Sequence, residues 1–530
     1  MRMIWQSLLL WFSCLILAPV AFAATPPPVS TGGMHGGPVA CLALRGTGFA
    51  AVTDAPTSIT SSTYVEAREG RPAYCALEGY VAPTNGFALW LPTNWNGKFL
   101  VRGCGGFCGT VAGEFACKDP IRLGYACLQT DMGHKSTLTD AAWAYNNPQG
   151  EIDFAYRSTH ATTLAGKAII ESYFQGKPLR AYFIGCSTGG RQGMVEAERF
   201  PEDFDGIVAV APAINETGAA MQLTWSLLAN RGPQGNILPP AKVLMLHKAV
   251  VDACDMNDGL RDGLIGDPVR CRFRPSSLLC RDGDAPGCLT SAELAVVDKI
   301  YAGPSDSHGK PLYHGGILLG SELNWVPSYV GKGEGWGTYA PMMQDFWRYL
   351  GFSSDPGPDW TLANFDFDKD PARVGAMEGL FTGANPDLRH FEGQGRKLLL
   401  AQGWSDESIV PGSAIDFYQG VTRFMGGPAQ TQTFFRMFGV PGMNHCTGGE
   451  GAYAINYLAA LEDWVEQGKA PDRLVGERPR EGVEVPYLGV GLALPPSDVT
   501  LRRPYFQWPA QAVYRGKGDA DNPDTWRPAS

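Results

Sequence analysis

The sequence predicts an α/β protein: a mostly parallel β-sheet covered on both faces by helices and interrupted by one long insertion. Three observations carry that expectation. Short apolar runs recur along the chain with helical spacing between them. Several of those runs end in glycine-rich loops. The alternation stops between about residues 214 and 390 and resumes afterwards. Strands alternating with helices imply parallel pairing and covered faces. A chain of 530 residues, 44% hydrophobic and 18% charged, is ample for a core of that kind.

Taken in order, Met1 to Ala23 reads as an export signal. Arg2 supplies positive charge, an apolar run spans Leu8 to Val20, and Ala21-Phe22-Ala23 is an A-x-A cleavage site. Thr25 to Pro38 is a Pro/Gly-rich lead-in. From about residue 95 the strand–helix pattern begins. Lys98 to Arg102 is a short strand running into Gly103-Cys104-Gly105-Gly106, and Tyr125 to Thr130 is another. A helix is expected over 158–175, where Ala161, Leu164, Ala165, Ala168 and Ile169 keep the spacing of one buried face. Ala181 to Ile184 is a strand, Gly189-Gly190 a turn, and Gln192 to Phe200 a helix stopped by Pro201. Ile207 to Ala211 is a buried strand, and Lys397 to Gln402 and Phe434 to Phe438 repeat its signature. Residues 24–213 and 391–530 therefore form the sheet domain, and 214–390 a lid inserted into it. Trp325, Tyr329, Trp336, Tyr339, Phe346, Trp347 and Tyr349 crowd that insertion, as core or as pocket lining.

No second apolar run approaches the ~18 residues of a membrane span. Of 13 cysteines, Cys14 leaves with the signal, and an even number in an exported chain argues for disulfides. The expected location is secreted or periplasmic. A net charge of −10 argues against nucleic acid or anionic membrane as partner and is what solubility alone would need.

Gly185-Cys186-Ser187-Thr188-Gly189 fits the G-x-S-x-G pattern of a nucleophile elbow, between an apolar strand and a helix. A serine hydroxyl is a poor nucleophile at neutral pH and needs a base, itself oriented by a third group. In this topology the partners follow as acid, then histidine, on loops at strand C-termini. Asp406 leaves the strand 397–402 and His445 follows the strand 434–438, with Glu407 the competing acid. Backbone donors for an oxyanion are expected at Thr188 and in the loop Gly103 to Gly106, where glycine lets the backbone approach a substrate oxygen. Cys186 precedes the serine and Cys446 follows the histidine. If Ser187 and His445 meet, the two cysteines come within the ~4.4–6.8 Å Cα spacing of a disulfide.

These residues resemble the tannase and feruloyl esterase family of serine esterases, which also contains the hydrolase of mono(2-hydroxyethyl) terephthalate. The resemblance rests on Tyr182 to Gly193, on Arg199-Phe200-Pro201 with Phe204 to Ala209, and on Pro441 to Cys446, and it runs from about Cys41 to Asp521. It implies an α/β-hydrolase fold with a large lid and Ser187, Asp406 and His445 as the triad. It also implies a Cys186–Cys446 disulfide and oxyanion donors at the Gly106 and Thr188 amides. A structural calcium ion in the lid is implied too, held by Asp255, Asp258 and Asp262 with the carbonyls of Leu260 and Leu264. Hard oxygen ligands on a tight loop suit Ca²⁺, although the spacing is not that of an EF-hand. Cys41–Cys75, Cys254–Cys271 and Cys280–Cys288 match family disulfides. Cys104, Cys108, Cys117 and Cys127 leave three pairings open, with spacing and compartment favouring disulfides over a metal site. Relative to the terephthalate-monoester hydrolase, no cysteine follows Cys446, the insertion is shorter, and no arginine matches the one that holds the substrate carboxylate.

The expected activity is hydrolysis of small esters of aromatic acids through an acyl-enzyme, feruloyl esterase first and tannase or terephthalate-monoester hydrolase next. The reading from another class is a secreted binding protein on an inactive hydrolase fold.

Overall fold

A computed structural model describes residues 36–331 and 335–529, so the expected export signal and most of the Pro/Gly-rich lead-in lie outside the described residues. At its centre is a nine-stranded sheet. The strands are β1 (Thr57–Val65), β2 (Tyr74–Val81), β3 (Asn85–Pro92), β4 (Lys98–Arg102), β5 (Ala126–Thr130), β6 (Arg180–Cys186), β7 (Gly206–Val210), β8 (Lys397–Gly403) and β9 (Phe435–Val440). They lie in the order β1-β2-β3-β5-β4-β6-β7-β8-β9. The first three pair antiparallel, β3 joins β5 antiparallel, and every later pairing is parallel. This is the α/β-hydrolase fold.

Side-chain alternation sends each parallel strand's residues to two cores. Phe99, Val101, Phe183, Ile207, Leu398 and Leu400 pack on one face against Ala161, Ala165 and Ile169 of α2 (Ser158–Phe174). Leu100, Tyr182, Ile184, Val208 and Leu399 pack on the other against Leu458, Leu461 and Trp464 of α9 (Tyr457–Gln467). Helices α1 (Gly113–Arg122), α3 (Thr188–Arg199) and α8 (Pro411–Phe424) complete the sheet's cover.

Two expectations need correction. The helix after the elbow starts at Thr188, not Gln192, so Gly189 and Gly190 form its first turn. A Cβ on Gly189 would stand 2.8 Å from the Cys104 carbonyl oxygen and 3.1 Å from the Gly103 backbone, which explains glycine inside a helix there. Strands β1 to β3 and the antiparallel pair β10 (Arg473–Pro479) with β11 (Val499–Phe506) were not anticipated.

Between β7 and β8 the chain leaves the sheet. The longest helices of this segment, among the described residues, are α4 (Glu216–Ala229), α5 (Pro240–Cys254), α6 (Ser291–Ala302) and α7 (Ala340–Tyr349), with long irregular connections carrying short helical turns between α5 and α6 and between α6 and α7. The expected aromatic run is mostly core: Trp325, Tyr329, Phe346 and Trp347 are buried, while Trp336 is exposed. Their cluster is continuous with Phe107, Cys108, Met132 and Phe154 from loops of the sheet region. Six disulfides join Cys41–Cys75, Cys104–Cys108, Cys117–Cys127, Cys186–Cys446, Cys254–Cys271 and Cys280–Cys288. The four cysteines left open by the sequence thus pair in chain order, first with second and third with fourth.

Candidate active site

Strand β6 ends at Cys186 and α3 begins at Thr188, leaving Ser187 alone to make the reversal. Its backbone sits at φ 62, ψ −124, a conformation that a non-glycine residue holds only when its surroundings enforce it. They do so: the Ser187 amide donates to the Val210 carbonyl at 3.1 Å and its carbonyl accepts from Ala213 at 3.1 Å. A Cβ on Gly185 would stand 2.5 Å from the Gly189 carbonyl, so the turn admits no larger residue there. The serine is half-buried at the C-terminal edge of the sheet.

The loop after β4 folds over this elbow. Its Cys104–Cys108 disulfide closes a tight ring, and Gln192 of α3 reaches into it, accepting from the Cys104 amide at 3.4 Å. Thr188 Oγ1 donates to the Gly106 carbonyl at 2.8 Å. Gly106 has φ +53 and its Cα faces the Leu138 carbonyl so closely that no side chain fits. Its amide donates to no acceptor among the described residues. The Thr188 amide, first in α3, has no acceptor one turn back within its helix. Both expected donors are therefore beside the elbow with unused N–H groups.

Asp406, fully buried after β8, is fixed from several directions. Oδ1 accepts from the Ser408 and Ile409 amides at 2.8 and 2.9 Å, and Oδ2 from Gln402 Nε2 at 3.0 Å. His445 Nδ1 lies 3.1 and 3.0 Å from its two oxygens. Burial alone would push the imidazole pKa down. The Asp406 charge and hydrogen bond, with Glu407 adding, hold it above the ordinary histidine value instead. Glu407 accepts from the Tyr339 hydroxyl at 3.5 Å; burial, and then the Asp406 charge, raise its pKa, with His445 opposing.

Ser187 and His445 make no hydrogen bond in this structure, and such bonds often tighten only when substrate binds. What joins the two loops is covalent. Cys186 and Cys446 are bonded with Cα atoms 5.8 Å apart across 260 residues of sequence. The structure thus brings Asp406 and His445 into direct contact and ties the His445 loop to the residue before Ser187.

The insertion leans on the same loops. Asn444 donates to Asn324 at 3.2 Å, and Ser405 Oγ to the Gly320 carbonyl at 3.1 Å. His247 bonds Glu322 at 2.8 Å, and those two acids, Glu322 and Glu450, raise its pKa to about 9 despite the opposing effect of burial. Buried Arg191 of α3 is 3.2 Å from Glu216 of α4. Arg191 and Gln192 lie inside the elbow motif, and their polarity in an otherwise small-residue turn is the signal that marks them. Gln402 and Asn324 carried none.

In the acidic loop, Asp255 Oδ1 accepts from the Asp262 and Gly263 amides at 3.1 and 3.2 Å, which wraps the chain around it. Burial, with the Asp262 and Asp255 charges, pushes the Asp258 carboxyl up to about 7. Arg503 offsets part of this charge, donating to Asp262 at 2.7 Å. A hard cation would relieve the remaining repulsion, so the donor set fits calcium in kind. Its three carboxylates are spread wider than a tight transition-metal site: the group with ligand atoms within 4.8 Å of one another, among the described residues, is elsewhere, at His160, Glu196 and Asp203.

A family model described as tannase and feruloyl esterase matches residues 71–527. A probable feruloyl esterase B-2 of Aspergillus terreus is 30% identical, the alignment covering 85% of this chain and 85% of that protein. The mono(2-hydroxyethyl) terephthalate hydrolase of Piscinibacter sakaiensis is 30% identical over 84% of this chain and 83% of its own. The crystal structure of feruloyl esterase B from Aspergillus oryzae superposes with a TM-score of 0.80 at 26% identity, covering 93% of this chain and 100% of that one.

Proposed function

This chain belongs to the tannase and feruloyl esterase family and is a carboxylic-ester hydrolase, and from that premise we propose that it is an exported serine esterase acting on esters of aromatic acids, feruloyl esters first. The observation that carries the reading is the Asp406–His445 pair tied by Cys186–Cys446 to the strained turn at Ser187.

His445 takes the Ser187 proton as Oγ attacks the ester carbonyl. The negative charge that develops on the carbonyl oxygen accepts hydrogen bonds from the Gly106 and Thr188 amides, which need no reorganisation to reach it. Collapse of the tetrahedral species expels the alcohol, protonated by His445. Water then attacks the acyl-enzyme by the same route and frees the acid. Asp406 keeps the imidazole in the tautomer with Nδ1–H and stabilises its charged form. The insertion serves as the lid that shapes the acyl pocket. Calcium bound by Asp255, Asp258, Asp262 and the Leu260 and Leu264 carbonyls would stiffen that lid; the chemistry stays with the side chains above. Export rests on the signal-like residues 1–23 and is in keeping with six disulfides.

The test is turnover of p-nitrophenyl acetate by wild type and Ser187→Ala, then methyl ferulate, methyl gallate and the terephthalate monoester side by side. Equal rates in the two proteins sink the triad assignment. Methyl ferulate as the poorest of the three acyl groups sinks the substrate preference.

A further inference from the structure

Behind the elbow lies a buried carboxylate that the chemistry above does not use. Glu196, on α3, is fully buried, and neither of its oxygens meets a hydrogen-bond donor. Asp203, in the turn after α3, is also buried, and His160 faces both from α2. One ligand atom from each of the three lies within 4.8 Å of the others. His160 Nδ1 is 2.6 Å from Asp203 Oδ2, and stacking on Phe200, with ring centroids 3.9 Å apart, fixes the imidazole plane. Lys167 also faces the cluster: its Nζ donates to the Asp203 carbonyl at 2.6 Å and stands 3.6 Å from Oδ1. One ammonium balances one of the two carboxylates. A second carboxylate charge would have only the His160 ring beside it, and a protein interior tolerates a buried unbalanced charge poorly.

We propose that His160, Glu196 and Asp203 form a site for a divalent transition-metal ion of the zinc type. An imidazole nitrogen with two carboxylate oxygens is a zinc donor set, whereas calcium prefers oxygen alone. Zinc takes these atoms at about 2.0–2.2 Å, so on binding the ion would replace the 2.6 Å His160–Asp203 hydrogen bond, those two atoms moving apart while the Glu196 carboxylate closes in. His160 is 21% exposed at its side chain, so the cluster borders solvent on that side. The ion would brace α2 against α3, the helix that starts at the residue after Ser187. The rival occupant is a single proton shared between Glu196 and Asp203, which removes the same excess charge.

The experiment uses the full exported protein, stripped with EDTA and held in saturating calcium so that oxygen-only sites stay filled. Thermal unfolding is followed as zinc is added. Wild type should gain stability with zinc. Glu196→Gln should bind zinc more weakly by over the roughly 10- to 100-fold that losing a mere supporting partner costs, while keeping p-nitrophenyl acetate turnover. Cobalt in place of zinc should give visible absorption in wild type that His160→Gln loses, which keeps the test sharp if the glutamate variant folds badly. No zinc shift in wild type, or an equal shift in wild type and Glu196→Gln, overturns the site. So does a Glu196→Gln protein that is more stable without metal while zinc leaves wild type unmoved, since that is the behaviour of the shared proton.

Discussion

The parallel half of the sheet and the insertion between β7 and β8 hold the active centre in different ways. In the sheet, position comes from the backbone. Cys186 pairs with Val210, Gly403 pairs with Val440, and the loops bearing Ser187, Asp406 and His445 all leave the same edge. In the insertion, position comes from side chains: the only strands there, among the described residues, are the two-residue pair Arg231–Gly232 and Gly235–Asn236. Two disulfides, the Lys242–Glu293 ion pair at 2.6 Å and an aromatic cluster around Trp347 hold the rest. A backbone ladder fixes reacting groups whatever the neighbouring side chains are. A side-chain scaffold can be reshaped by substitution, which suits the insertion's proposed role of shaping the acyl pocket.

Perturbing each half separately tests that contrast. The largest effect belongs to the sheet-borne loops: Asp406→Asn should lower kcat on the order of 10⁴-fold, as expected when the base loses its tautomer control, with the unfolding midpoint little changed. A loss of only a few fold would make Glu407 the working acid. Next comes the tie between the loops. Replacing Cys186 and Cys446 together by serine opens a loop of 260 residues, and chain entropy sets the cost at about 5 kcal/mol, read by chemical denaturation. If the folded remainder keeps full kcat, the sheet alone positions the base. In the insertion, Trp347→Ala removes a fully buried indole whose Nε1 donates to Thr224 at 2.8 Å. It should cost roughly 3–5 kcal/mol and raise KM for the aromatic ester more than it lowers kcat. An equal fall in kcat would mean that the insertion positions the reacting groups as well.

The same contrast explains what was legible in the sequence. Strands β4, β6, β7, β8 and β9 are covered on both faces, so they read as unbroken apolar runs, and the elbow and the two partner loops could be placed at their ends. Strand β1 could not be read that way. Its Thr57-Ser58-Ile59-Thr60-Ser61-Ser62 is polar and half-exposed at the sheet edge, with a register irregularity near Ile59. The insertion was visible only as lost alternation, because an aromatic run has the same composition whether it lines a pocket or fills a core. Gln402 and Asn324 act through contacts between segments distant in sequence, and no local pattern marks them.

The smallest expected effect falls where the two halves meet. Glu407 follows the acid on the sheet-borne loop and accepts from Tyr339 of the insertion. His445 acts as a base only when neutral, so a raised pKa moves the loss of activity to higher pH. Burial opposes that rise, while Asp406 and then Glu407 produce it. The acid limb of kcat/KM should therefore lie above the ~6.5 of an ordinary histidine. Glu407→Gln removes one negative charge while keeping the shape, so His445 should titrate lower and the limb move to lower pH. Tyr339→Phe keeps the charge and should leave the limb near its wild-type position. An unmoved limb in Glu407→Gln would mean that Glu407 is already protonated when His445 titrates, which its own raised pKa makes the specific alternative. In that case the insertion would touch the base through packing alone, and the division between backbone-set chemistry and side-chain-set shape would be sharper than the charges suggest.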